Sequence, residues 1–174
     1  MKAIKTLILL VVLGFGLNAH HTHAQNADAN LTHTQVIEAS ADDVWAALRT
    51  MDDIDLYSSF IGRVEWTGPK DVGGQRICYT PDGTGYFKET VVAFDDHNRT
   101  YSYSLDEGAP VQGMVNTFNV VDLGYKTSMI VWTSNYDMFI ENPQMTKDEY
   151  FAFVNTAITE MVDNVAKAAA QASM

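Results

Sequence analysis

Behind Thr146-Lys-Asp-Glu149, the residues Phe151, Val154, Ile158, Met161 and Val165 recur at the spacing of one helix face. The tetrapeptide has the form of a capping box, in which the Thr hydroxyl and the Glu carboxylate each satisfy a backbone N–H of the other, so a helix is predicted over 147–170. At ~1.5 Å per residue it is roughly 36 Å long. Its apolar face has to be covered along that whole length, and no second long helical pattern precedes it. What precedes it is a run of short alternating segments at 34–39, 60–66, 75–80, 84–94, 99–105, 111–121 and 127–136, separated by turn-forming clusters such as Gly68-Pro69, DDHN, DEGAP and Gly124. One short helix interrupts them: Ser40-Ala-Asp-Asp43 is a second capping signature, and Val44, Trp45, Leu48 and Met51 give it an apolar stripe. The order is strand, helix, a meander of strands, then one long helix. An α+β arrangement follows, an antiparallel sheet with the last helix laid over one face. A strongly curved sheet of this kind leaves room under the helix for a small molecule.

Within the meander, GGQRICYTPDGTGYFKE (73–89) carries a strong hairpin signal, because Asp-Gly tolerates the positive φ that tight turns require. A two-residue loop at Asp82-Gly83, or a four-residue loop from Pro81 to Thr84, sets Thr80 against Gly85, Cys78 against Phe87 and Arg76 against Glu89. A three-residue loop would set Arg76 against Lys88, a like-charge pairing that costs stability, so the first register is favoured. Alternation puts Arg76 and Glu89 on one face with Cys78, Phe87, Val91 and Ala93, and Ile77, Tyr79, Tyr86, Val92 and Phe94 on the other. It does not say which of the two faces is inward.

The chain starts MKAIKTLILLVVLGFGLNA, with Lys2 and Lys5 ahead of an apolar run that ends near Leu17. That run is short for a bilayer span and is followed by small and polar residues, the layout of a secretory signal peptide. Residues 1–24 are read as that signal, 25–32 as a flexible segment and 33–171 as a single domain. A secreted or periplasmic protein without a stable membrane anchor is implied. The formal net charge is −11, and removing Lys2 and Lys5 makes it more negative by two. Such a surface repels nucleic acid and anionic membranes. Cys78 is the single cysteine, so there is no disulfide framework and no paired-Cys metal site; a buried structural thiol is expected. Four of the five histidines lie between His20 and His33, at or outside the edge of the folded part, and no metal site is assigned to them. No phosphate loop, zinc-protease helix or nucleophile elbow is present, and no cofactor is indicated.

Four stretches, VIEASADDVWAAL, GGQRICYTPDG, FKETVVAFDDHNRTYSYSLDEGAPV and SMIVWTSNY, together resemble the START/Bet v 1-like (SRPBCC) superfamily, in particular its polyketide cyclase/dehydrase and lipid-transport group. The resemblance covers nearly all of the chain after the signal. It implies a helix-grip fold, a curved antiparallel sheet wrapped around the C-terminal helix with an internal cavity, and a small hydrophobic molecule as the partner. The segment from Gly73 to Ser104 is also similar to plant lachrymatory factor synthases, where an Arg on one cavity strand and a Glu on the next are the functional pair. Arg76 and Glu89 match them, which implies that both point inward.

In an apolar cavity Arg76 stays charged and can hold a ligand oxygen, and Glu89 can accept a proton. Phe87 on the same face, Tyr103 on the next strand and Asn155 beside the apolar stripe of the last helix are further candidates for the cavity wall. Three functions fit: a binder of a small hydrophobic molecule, a cofactor-free isomerase, cyclase or dehydratase using the Arg–Glu pair, or a secreted interaction module with a filled core. The signal reading has a direct check. Mass spectrometry of protein recovered from the periplasm or medium should show a chain beginning between His20 and Ala27, and an intact Met1 in a soluble cytoplasmic pool would contradict it.

Overall fold

The computed structural model describes residues 30–172. Their order is β1 (Leu31–Ile37), α1 (Ala41–Leu48), a 3-10 turn at Ile54–Leu56, β2 (Arg63–Thr67), β3 (Gln75–Tyr79), β4 (Tyr86–Asp95), β5 (Thr100–Glu107), β6 (Val111–Gln112), β7 (Met114–Gly124), β8 (Thr127–Asn135), β9 (Met138–Phe139) and α2 (Lys147–Ala172). Seven strands form one antiparallel sheet in the order β1-β8-β7-β5-β4-β3-β2, and β6 and β9 form a separate two-stranded ribbon. The helix-grip α+β architecture expected from the sequence is the one found. The proposed signal segment lies outside the described residues. Strand β1 already includes Leu31 and Thr32, which pair with Ser134 and Thr133 on β8.

Both helices are capped as expected, by Ser40 at α1 and by the full capping box at α2. The Ser40 hydroxyl accepts from the Asp43 N–H at 3.1 Å. At α2 the Thr146 N–H donates to Glu149 Oε2 at 2.8 Å, and the Glu149 N–H donates to Thr146 Oγ1 at 3.3 Å. Between the sheet and α2 lies the core, with Val44, Trp45, Phe118, Ile130, Ile158, Val162 and Val165 among its buried members. The helix buries a face that runs through Tyr150, Ile158, Met161, Val162, Val165 and Ala169. Phe151 leaves that face for a smaller cluster, its ring 5.0 Å from Tyr136 and 6.3 Å from Phe139.

The β3–β4 register is the expected one, Arg76 opposite Glu89 and Cys78 opposite Phe87. The turn differs from a tight Asp-Gly loop. Thr80 N–H donates to Gly85 O at 3.0 Å and Gly83 N–H to Thr80 O at 2.9 Å, and in this loop φ is positive only at Gly83, so Pro81 to Thr84 form the four-residue alternative. Simple alternation fails further along β4. Val91 pairs with Tyr103 but Ala93 with Ser102, so Val92 is a bulge residue that shifts the phase by one. Ala93 is therefore exposed, and Phe94 turns inward to stack on Trp45 with centroids 5.9 Å apart. The predicted strand at 111–121 is also broken, by Gly113 at φ +66°, where any side chain would strike the Asp137 carboxylate.

Candidate functional site

Arg76 sits on β3 with its side chain 4% exposed, and Glu89 on β4 is 12% exposed. Burial of alternate β3 residues shows why: Arg76 and Cys78 face the core, while Gln75, Ile77 and Tyr79 face outward or to the edge. Arg76 Nε donates to Glu89 Oε2, and Arg76 Nη1 donates to the Met51 carbonyl. Met51 closes α1 in the left-handed region at φ 60°, a conformation costing a non-glycine residue about 1–2 kcal/mol, and its carbonyl meets the guanidinium there. The guanidinium carbon lies 4.6 Å from the centre of the Tyr103 ring. Nε and Nη1 thus meet acceptors, and the residue lies at the wall of a cavity.

That cavity has a volume of about 140 Å³ and lies between the sheet, α2 and the 54–61 loop. Arg76, Glu89, Tyr103, Asn116 and Trp132 line its sheet side, and Tyr150, Phe153, Val154, Ile158 and Met161 its helix side. The loop is tied to α2 by Glu160, which accepts from the Ser59 N–H at 2.6 Å and from the Ser59 hydroxyl at 2.9 Å. Phe60 and Phe153 meet edge to face at 5.1 Å across the same seam. Next to it is a larger depression of about 660 Å³ under Gly108 to Pro110 and the loop carrying Asn142 and Met145. Phe87, Tyr150 and Phe153 line both spaces and form the partition between them. Drug-sized ligands occupy roughly 300–1,000 Å³. The inner space alone is too small for that, so a ligand of such size must extend past the partition.

Of the residues singled out in the sequence, the structure brings Arg76, Glu89, Phe87 and Tyr103 together on the cavity wall. Asn155 is the exception. It is exposed on the outer face of α2, in a shallow groove with Thr159 and Asp163, because one helical residue turns about 100° and the step from Val154 carries it off the buried face. Tyr101 is buried beneath the site and Tyr136 belongs to the satellite cluster. Trp45 and Trp132 are core residues, while Trp66 is half-buried near the sheet edge under Lys70. Sequence reasoning missed Tyr150, Phe153 and Asn116. A signal for Asn116 was available: Met114, Asn116, Phe118 and Val120 are the buried phase of β7, and Asn116 is the one polar member.

Burial alone would lower the Arg76 guanidinium; the Glu89 carboxylate, followed by Tyr101 and Cys78, more than offsets it and holds the group well above its ordinary value. Burial pushes the Cys78 thiol up to about 12, with Glu89 adding to the effect. Its Sγ donates to Glu89 Oε2 at 3.8 Å. Cys78 is a buried neutral thiol, not a nucleophile. Tyr101 is likewise raised to about 12 by burial, and Tyr103 well above its ordinary range by burial and then Glu89. Among the described residues no group of three His, Cys, Asp or Glu side chains is placed to hold a metal ion.

Residues 28–170 match the family described as polyketide cyclase/dehydrase and lipid transport. The chain belongs to that family. The fold recurs in an uncharacterized protein from Bacillus thuringiensis (20% identity, TM-score 0.68, covering 79% of this chain and 96% of that one). It also recurs in a norcoclaurine synthase point mutant from Thalictrum (20% identity, TM-score 0.63, 83% and 95% covered) and in an aromatase/cyclase from Streptomyces (17% identity, TM-score 0.66, 81% and 93% covered). At these identities the likeness is one of fold. Among proteins of curated function, none matches the chain significantly. Membership in this family and the largely apolar space under α2 fit a fold for binding small hydrophobic molecules. Among the described residues, no helix is long and apolar enough to cross a membrane.

The raised acidities give a pH test. In the folded state Cys78 and Tyr101 keep their protons up to about 12, whereas the unfolded chain releases them from their ordinary values of 9.0 and 10.0. Above pH 9 the folded state therefore binds more protons, and stability falls as pH rises from 9 towards 12. The melting temperature should decline across that window, and native Cys78 should resist iodoacetamide at pH 8 until the protein unfolds. Rapid alkylation of the native protein, or a flat melting temperature up to pH 11, would contradict the burial.

Proposed function

We propose that the protein binds, outside the cytoplasm, a small apolar molecule whose neutral carbonyl or hydroxyl oxygen is held by Arg76. The observation that carries this reading is a buried guanidinium, paired with Glu89, on the wall of a largely apolar cavity. Side chains are rarely buried in this state without a use for the charge. Arg76 and Glu89 neutralise each other, so a ligand carboxylate would bring an uncompensated negative charge into the cavity. An uncharged oxygen avoids that cost while still accepting a charge-assisted hydrogen bond. The extracytoplasmic location is supported by the Lys2/Lys5 start and the apolar run behind it.

A second reading rests on Glu89. Its Oε2 takes the bonds from Arg76 and Cys78, and among the described residues no hydrogen bond reaches Oε1, which can accept a proton from a bound molecule. Cofactor-free isomerisation, cyclisation or dehydration of a carbonyl compound needs that base together with a donor to the developing enolate oxygen, the part Arg76 fits.

Calorimetry with 2-acetylnaphthalene, an apolar body with one ketone oxygen, and with 2-naphthoic acid tests the first reading. The ketone should bind more tightly than the acid, and Arg76→Leu should weaken the ketone by roughly tenfold or more, the worth of a hydrogen bond to a charged group. Equal affinities in Arg76→Leu and the parent would overturn it. Glu89→Gln separates the two readings: a pure binder changes little, whereas an enzyme keeps affinity for its substrate and loses on the order of 10² or more in turnover.

A further inference from the structure

On the side away from α2 and the cavity, the outer face of the sheet divides into two halves of unlike composition. Towards β2 it is charged: Arg63 is bridged to Glu65, and Lys88 of β4 to Glu107 at the end of β5. The outward residues of β1, β8, β7 and of β5 as far as Ser104 include no Asp, Glu, Lys or Arg. By register, Val36, Met129 and Val121 stand side by side there, and Val131 lies in the next row. A solvated surface carries charge at roughly a quarter to a third of its positions, so a bare stretch of this size points to a face that is covered. The same half ends in exposed apolar side chains. Val36 is 58% exposed and Leu123 47%, and Tyr125 at the β7–β8 turn is fully exposed. Tyr125 and Lys126 both have left-handed backbone, φ 52° and 60°, in a two-residue turn closed by the Gly124–Thr127 pair. Asn and Gly take such positions readily, whereas each of these residues costs about 1–2 kcal/mol there. That strain is spent on holding an aromatic ring in solvent.

We infer that this half of the outer face is the contact surface for a second copy of the chain. Charge decides the partner. Two copies of net charge −11 repel wherever their acidic surfaces meet, and a face without charges is where they approach at least cost. An anionic partner is repelled by the molecule as a whole, and a basic one finds nothing on this face to pair with. A second uncharged face rich in β-branched side chains does fit, since sheets pack face to face about 10 Å apart through such residues. Four strands ~4.8 Å apart and seven residues long span roughly 19 Å by 23 Å, and the Leu123–Tyr125 tip extends the patch. That is the size of a weak two-fold dimer, not of a permanent one, which buries about 1,000 Å² or more per partner. The cavity lies on the opposite side of the sheet, so pairing covers neither copy's site.

Sedimentation velocity tests this. The parent should pass from monomer to dimer over about 1–200 μM, the range of a weak interface. Association should tighten as salt rises from about 0.05 to 0.5 M, because screening relieves repulsion between acidic copies and leaves an uncharged contact intact. Val36→Glu should weaken it by roughly tenfold or more, since it buries a charge in the contact. Tyr125→Gly should weaken it by a similar factor, yet the monomer should melt no lower than the parent, because glycine accepts the left-handed backbone. Thr67→Glu, on the charged half, should change nothing. Should Val36→Glu fail to fold, Tyr125→Gly on its exposed turn decides alone. A monomer over the whole range, association that survives these replacements, or a dimer that salt loosens would overturn the inference. A lower melting temperature for Tyr125→Gly would overturn it too, by showing that the ring serves the fold.

Discussion

A guanidinium that is buried between a sheet and a helix has to be both neutralised and hydrogen-bonded, and Arg76 draws on three separate parts of the chain for this. Glu89 supplies the charge from the neighbouring strand, the Met51 carbonyl supplies an acceptor from the end of α1, and the Tyr103 ring supplies a face from β5. The Glu89 contact lies across the β3–β4 register that the Pro81–Thr84 turn sets, and the Met51 contact reaches the left-handed residue at which α1 gives way to the 54–61 loop. That loop then closes the cavity against α2 through Ser59 and Glu160.

The cavity is a consequence of the same arrangement. A helix as long as α2 crosses the sheet from the ribbon end, where Tyr150 and Phe151 pack beside Phe139, to the end where Val165 and Ala169 meet α1 and the core. Packing is tight at the α1 end, with Val162 and Val165 fully buried, and open near Phe153 and Val154. The open part holds Arg76, Glu89, Asn116 and Trp132, so the polar groups of the interior collect where space is left. Phe87, Tyr150 and Phe153 divide it from the larger outer depression. A two-compartment space suits a molecule whose oxygen function goes inward and whose apolar body lies towards the surface.

Much of this was legible in the residues because the signals were local and independent. The capping boxes at Ser40 and Thr146 placed both helices, and the Asp82-Gly83 turn with the charges of Arg76, Lys88 and Glu89 placed the hairpin register. What failed depended on non-local geometry. Nothing in YFKETVVAFDD announces the bulge at Val92, since the extra residue is defined only against β5, and with it the inward turn of Phe94 was lost. Asn155 was misplaced because a helical stripe read from five apolar residues leaves about one position of angular slack, and Phe153 rather than Asn155 falls within the buried arc. The inward direction of Arg76 came from resemblance, not alternation, since both faces of 75–80 and 84–94 carry apolar residues. For Asn116 the pattern in β7 was sufficient and was not read.

The central claim is that the Arg76–Glu89 pair exists for the cavity and not for the fold. Replacing both partners together by apolar residues of similar size, Arg76→Met with Glu89→Leu, tests it most directly, because it leaves no uncompensated charge behind. Urea unfolding of this double variant should give a stability equal to the parent or higher by about 1–4 kcal/mol, with affinity for 2-acetylnaphthalene lost. A double variant that is several kcal/mol less stable than the parent, yet still binds the ketone as the parent does, would contradict it.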